Sequence, residues 1–158
     1  MKRVTFVPRH VAEKINAQEW FEEGVVSGHV AGISIVPPEE GAIFTIDDGW
    51  QTFAFDDTET PCAGLVMFDI PAADQIIEFA QMACADTLII HCEAGMSRSA
   101  AVALWLADNL DYELWMHPDD VGTTAHHNRH VYRTLDAATG KDLSAYYAEI
   151  ERQERMMM

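Results

Sequence analysis

Positive charge is scarce in this chain: ten Lys and Arg face 26 Asp and Glu, a formal net charge of −16 at pH 7. Like charge repels at long range, so nucleic acid and anionic membrane surfaces are expected to be poor partners, a local basic pocket apart. Cysteine is sparse too. Cys62, Cys84 and Cys92 form neither a disulfide framework nor a CxxC zinc pattern, and a reducing compartment suits them. No apolar run approaches the ~20 residues of a membrane span. The opening MKRVTFVPRH lacks an apolar stretch of signal-peptide length. These absences lead to the expectation of a soluble, cytoplasmic protein. Repeats and low-complexity linkers are also missing. A chain of 158 residues, 49 % of them apolar, therefore reads as one domain, 1–158, with a real core.

What is present alternates between two periods. RVTFV (Arg3–Val7) reads as a strand and Arg9–Gly24 as a helix, in one or two pieces. AGISIV (Ala31–Val36) is β-rich and halts at Pro37-Pro38. AIFTI and WQTFAF follow, with Asp47-Asp48-Gly49 between them as a turn or hairpin signal. DDTETPCAG is a loop. Pro71 opens a helix whose apolar residues Ile76, Ile77, Phe79, Ala80, Ala83 and Cys84 recur at helical spacing. That spacing puts Cys84 in the core. TLIIH is short and lacks polar alternation, as a strand buried on both faces does. SAAVALWLADNL is apolar nearly all round, which marks an internal helix. HHNRHVYRTLDAA and LSAYYAEIERQERM read as two more helices parted by Gly140, with a frayed tail at the terminus. Trp50, Trp105 and Trp115 suit packing. The pattern predicts an α/β fold with a central, mostly parallel sheet of four to five strands flanked by helices. Ligands in such sheets sit beyond the carboxyl ends of the strands.

HCEAGMSRS (His91–Ser99) falls at such a place, between the buried strand and the internal helix. A helix N-terminus has unpaired N–H groups and partial positive charge. A short loop entering it can curl its N–H groups round one anion. Glu93, Ala94, Gly95, Met96 and Ser97 would supply those amides, and Gly95 is where the curl most needs conformational freedom. Arg98 adds a planar fork for two phosphate oxygens. Cys92 would lie at the bottom, where dipoles and an arginine favour the thiolate, the nucleophilic form. It can attack a bound phosphomonoester in line. Ser99 would donate to the sulfur and help it leave later. His91 is expected to brace the loop.

HCEAGMSRS resembles the H-C-x-x-G-x-x-R-S signature of the cysteine-dependent protein tyrosine phosphatase superfamily. The AGxSRSAAV continuation and the short chain are similar to its compact dual-specificity-like bacterial and phage members. The resemblance runs from about Ile33 to about Leu135. It implies a phosphatase P-loop between a central strand and a central helix, a phosphocysteine intermediate, phosphorylated protein as substrate, and no cofactor or metal. It also implies a carboxylic acid on another loop, which protonates the leaving oxygen. Asp56, Asp57 and Glu59 compete for that role, with Asp69 better explained as helix-start chemistry. Strand parity with Phe53 and Phe55 selects Asp57, and the family's F-x-D pattern lands on it too.

His126, His127 and His130 invite a metal reading, but no HExxH glutamate or third ligand accompanies them, so surface or capping roles are expected. Asn128, within NRHV, falls on a position to which the resemblance gives a loop-bracing role; a helix-start role is preferred for it. The loop interior EAGMS has no Lys or Arg, which argues against phosphoinositides, and phosphotyrosine is preferred over phosphoserine or phosphothreonine. Two rival readings share the anion loop: a phospho-binding module without turnover, and a thiol-based arsenate or sulfur-transfer enzyme. The sequence does not specify the oligomeric state.

Overall fold

The segment TLIIHC alternates two apolar faces with no polar break, and it becomes the middle strand of the molecule. The computed structural model describes residues 2–16, 30–46, 49–115, 124–140 and 144–156, with side chains from 148 onward in the last segment. Its strands are β1 (Lys2–Pro8), β2 (Val30–Val36), β3 (Trp50–Ala54), β4 (Thr87–Cys92) and β5 (Tyr112–Leu114). They form one five-stranded sheet in the order β3-β2-β4-β1-β5. Every pairing is parallel. The helices are α1 (Arg9–Asn16), α2 (Ile70–Met82), α3 (Arg98–Asn109), α4 (Arg129–Ala138) and α5 (Ser144–Met156). Among the described residues no helix is long and apolar enough to cross a membrane.

The alternation along β4 sorts the core into two clusters. Leu88, Ile90 and Cys92 face a large cluster with Ile76 and Ala80 of α2, Ala100–Ala103, Trp105 and Leu106 of α3, and Val131 and Leu135 of α4. Ile89 faces a smaller cluster with Ala12 and Ile15 of α1 and with Phe44 and Trp50. Trp105 is fully buried, and its indole N–H donates to Asp136 Oδ1 at 2.8 Å, tying α3 to α4.

Three expectations need correction. β3 pairs in parallel with β2, Gly32 with Trp50 and Val36 with Ala54, and not with AIFTI, so the signal ending at Gly49 marks a turn, with Gly49 N donating to Ile46 O at 2.9 Å, and no hairpin. AIFTI is no strand. Its alternation serves burial instead: Phe44 stacks on Trp50 with ring centroids 4.3 Å apart. Asp47 and Asp48 lie outside the described residues, as does the 17–24 part of the first predicted helix. Cys84 is exposed, not core. α2 ends at Met82 with Ala83 as its cap, so Cys84 leaves the helical face that sequence spacing gave it. Asp69 caps α2 as expected, accepting from Ala72 N at 3.0 Å, with Pro71 in the first turn.

A parallel sheet gathers all its strand ends on one edge. The chain leaving β1 at Arg9, β2 at Pro37, β3 at Phe55 and β4 at Glu93 therefore converges there.

Candidate functional site

Cys92 ends β4, and the 93–97 loop leads from it to α3. Gly95 sits at φ +68, and a Cβ there would lie 2.3 Å from Pro8 N and 2.5 Å from Val7 C. Only glycine fits that approach of the loop to the end of β1. Two main-chain hydrogen bonds complete the support: Arg9 N donates to Glu93 O at 3.3 Å and Asn128 N to Ser97 O at 3.0 Å. Ser97 holds the N-cap position of α3, yet its hydroxyl caps nothing. It donates instead to Asp57 Oδ1 at 2.7 Å. Ser97 thus offers the first-turn N–H groups of α3 no side-chain acceptor.

The Cys92 side chain is buried, with its sulfur 3.1 Å from Ser99 Oγ. Arg98 is 7 % exposed. Its Nη1 donates to the Phe55 carbonyl at 2.7 Å, while its Nε is buried with no partner among the described residues. A buried, unpaired donor on a cation is costly in a folded protein unless something accepts from it.

His91 is wholly buried. Its Nδ1 faces the Cys92 carbonyl at 3.4 Å and its Nε2 faces Ser34 Oγ at 2.6 Å. A carbonyl only accepts, so Nδ1 carries the proton and Nε2 takes the Ser34 hydroxyl. The rings of Phe44 and Trp50 stand edge-on to it. Burial lowers its pKa to about 4, so the imidazole is neutral at pH 7 and ties β4 to β2.

The three competing carboxylates separate clearly. Asp57 Oδ1 accepts from Ser97 and, at 2.9 Å, from Asn128 Nδ2, which places it against the 93–97 loop. Asp56 Oδ2 accepts from Val66 N at 2.7 Å and staples its own loop. Glu59 Oε2 accepts from Arg129 N at 3.0 Å, at the start of α4.

No family model and no curated protein matches the chain.

Four further residues contribute, and of these only Asn128, within NRHV, carried a motif. Asn128 does cap α4, accepting from Val131 N at 3.0 Å, but its amide also donates to Asp57 and to Thr58 O. It therefore joins both loops. His130 is buried rather than on the surface, and its Nε2 donates to Phe68 O at 2.8 Å. Desolvation lowers its pKa. His126 belongs to a short 3₁₀ turn (Thr124–His126) that ends before α4, so it shares no helix with His130. Among the described residues no three His, Cys, Asp or Glu could hold a metal ion. Ser34 positions His91. The fourth is Arg9, whose guanidinium is surrounded by Glu93, Glu40 and Glu13. Its pKa is raised, chiefly by the Glu93 hydrogen bond. Glu93 is thereby drawn outward, and it joins the loop through its main chain.

Proposed function

We propose that the chain is a cysteine-dependent phosphatase of the protein tyrosine phosphatase superfamily. It hydrolyses phosphomonoesters in proteins, with phosphotyrosine the preferred substrate and phosphoserine or phosphothreonine the secondary ones. One observation carries the reading: a buried arginine with an unpartnered Nε stands six residues after a buried cysteine, across a loop held open at Gly95. An oxyanion supplies what that donor lacks.

In the proposed cycle the phosphate dianion sits on the 93–97 amides and Arg98. The Cys92 sulfur attacks phosphorus in line, forming the S–P bond as the ester P–O bond breaks. Asp57 gives its proton to the departing oxygen. Its Oδ1 receives both Ser97 and Asn128, which leaves Oδ2 to carry that proton. Water then attacks the phosphocysteine and yields its proton to Asp57. Phosphate leaves, and Ser99 donates to the returning thiolate. No cofactor enters the cycle. The strong acidic excess keeps nucleic acid off the list of proposed partners. Three free cysteines fit a cytoplasmic setting.

The test is release of phosphate from p-nitrophenyl phosphate. Cys92→Ser is expected to abolish it, and Asp57→Asn to slow aliphatic or phenyl esters about 10²-fold while sparing the nitrophenyl ester more. Asp56→Asn and Glu59→Gln should change little. Phosphopeptide binding without turnover in the wild type would favour a binding module. Turnover of arsenate or sulfur substrates alone would favour the thiol-transfer alternative.

A further inference from the structure

Arg9 is the first residue of α1 and lies at the carboxyl edge of the sheet, next to the turn that follows Cys92. Its Nη1 is 2.9 Å from Glu93 Oε1 and 2.7 Å from Glu40 Oε2, and its Nε is 3.2 Å from Glu13 Oε1. One cation thus serves three carboxylates brought from three places: the end of β4, the exit from β2, and the next turn of α1. Glu93 adjoins Cys92 and is the sole charged residue inside EAGMS. Its carboxylate is an anion of the right size to accept the loop's own N–H groups. It would compete with phosphate if it swung inward, and it would repel a dianion even if it did not.

We propose that Arg9 is a positioning residue for oxyanion binding: it holds Glu93 outside the turn and offsets its charge, so that substrate meets amides and Arg98 rather than a carboxylate. This proposal rests on the phosphatase reading. The main-chain supports, Arg9 N to Glu93 O and Gly95 against Pro8, do not depend on the Arg9 side chain. Loss of the guanidinium should therefore act on anion affinity and leave the loop's path intact.

The experiment compares Arg9→Met, Arg9→Lys and the Arg9→Met/Glu93→Gln pair with wild type, and Glu93→Gln completes the cycle. Tungstate affinity is measured by calorimetry, kcat and KM with p-nitrophenyl phosphate, and folding by thermal melting. Arg9→Met is expected to weaken tungstate binding and raise KM by about fivefold to tenfold, with kcat within about twofold. The loss should shrink in ~0.5 M salt. Adding Glu93→Gln should recover most of it, and Arg9→Lys should stay near wild type, because charge near Glu93 is what matters. Should Arg9→Met fail to fold, Arg9→Gln, which keeps donors without charge, carries the same test. Unchanged tungstate affinity, or a loss that Glu93→Gln does not recover, overturns the proposal. A wild type that binds tungstate without turnover removes the phosphatase reading and leaves this one to the affinity series. A wild type that binds no tungstate overturns both.

Discussion

The two loops that meet beside Cys92 are held with different emphasis. The 93–97 loop is fixed through its main chain, by Gly95 against Pro8 and by hydrogen bonds from Arg9 N and Asn128 N. The 55–69 loop has main-chain bonds of its own, Phe55 N to Val36 O and Asp56 N to Val66 O, but it is tied to the site through side chains: Arg98 to Phe55 O, Asn128 to Asp57 and Thr58, Glu59 to Arg129 N, and His130 to Phe68 O. A main-chain cradle tolerates changes in its own side chains but not in its backbone space. A side-chain lattice tolerates backbone give but fails one residue at a time. The half that must grip any phosphate is the stiffer one, and the half that must deliver a proton at the right place is tuned residue by residue.

The largest expected effect breaks the cradle. Gly95→Ala puts a Cβ into the Pro8 backbone at positive φ and should cost about 3 kcal/mol or more in a urea melt. Tungstate binding should vanish even at temperatures where the variant stays folded. Acidification comes next. His91 stays neutral in the folded protein down to about pH 4, whereas the unfolded chain takes up the proton near its ordinary value of ~6.5. The burial-neutral state is thus fully stabilising above pH ~6.5 and loses up to about 3 kcal/mol as pH falls towards 4. Melts of wild type and His91→Gln across that window should show a shallower decline in the variant. His130, lowered in the same direction, adds to the wild-type slope from α4. The smallest effect unpicks the lattice. Asn128→Ala loses the α4 cap and the tie to Asp57, so about 1–2 kcal/mol of stability should go. Turnover of phenyl phosphate should fall about tenfold, while tungstate affinity stays within about twofold. If Asn128→Ala weakened tungstate as much as it slowed turnover, the division between the loops would be wrong.

Features that depend on near neighbours along the chain were legible in the sequence. β4, α3 and the loop between them could be read from TLIIH, from the apolar SAAVALWLADNL, and from the spacing of Cys92, Gly95 and Arg98. Asp69 at the start of α2 was local chemistry as well. Features that depend on distant partners were not. Arg9 has no motif, because its meaning comes from Glu40 and Glu93, which only the parallel sheet brings to it. His130 read as a surface histidine because Phe68 is remote in sequence. Asn128 was preferred as a cap, which it is, while the loop-bracing role that the resemblance offered was ranked second; its partners Asp57 and Thr58 are remote in sequence. The Asp-Gly signal before Trp50 gave the turn, with Gly49 N on Ile46 O, but not the hairpin, because turn chemistry says where a chain bends and not which strand it joins next. Cys84 misled by one turn, since periodicity carries no stop signal where Ala83 ends α2.

β1 pairs with β4 and β5, which the ribosome makes much later: Arg3 lies opposite Thr87 and Lys2 opposite Tyr112. During synthesis its largely apolar Val4–Val7 segment must wait unpaired until β4 and β5 have emerged. Slow, non-local assembly of this kind exposes a sticky segment to other chains. The strand whose end supports Gly95 is therefore also the one most in need of protection at birth, and yield from expression should respond to changes in residues 2–8 more sharply than their number suggests.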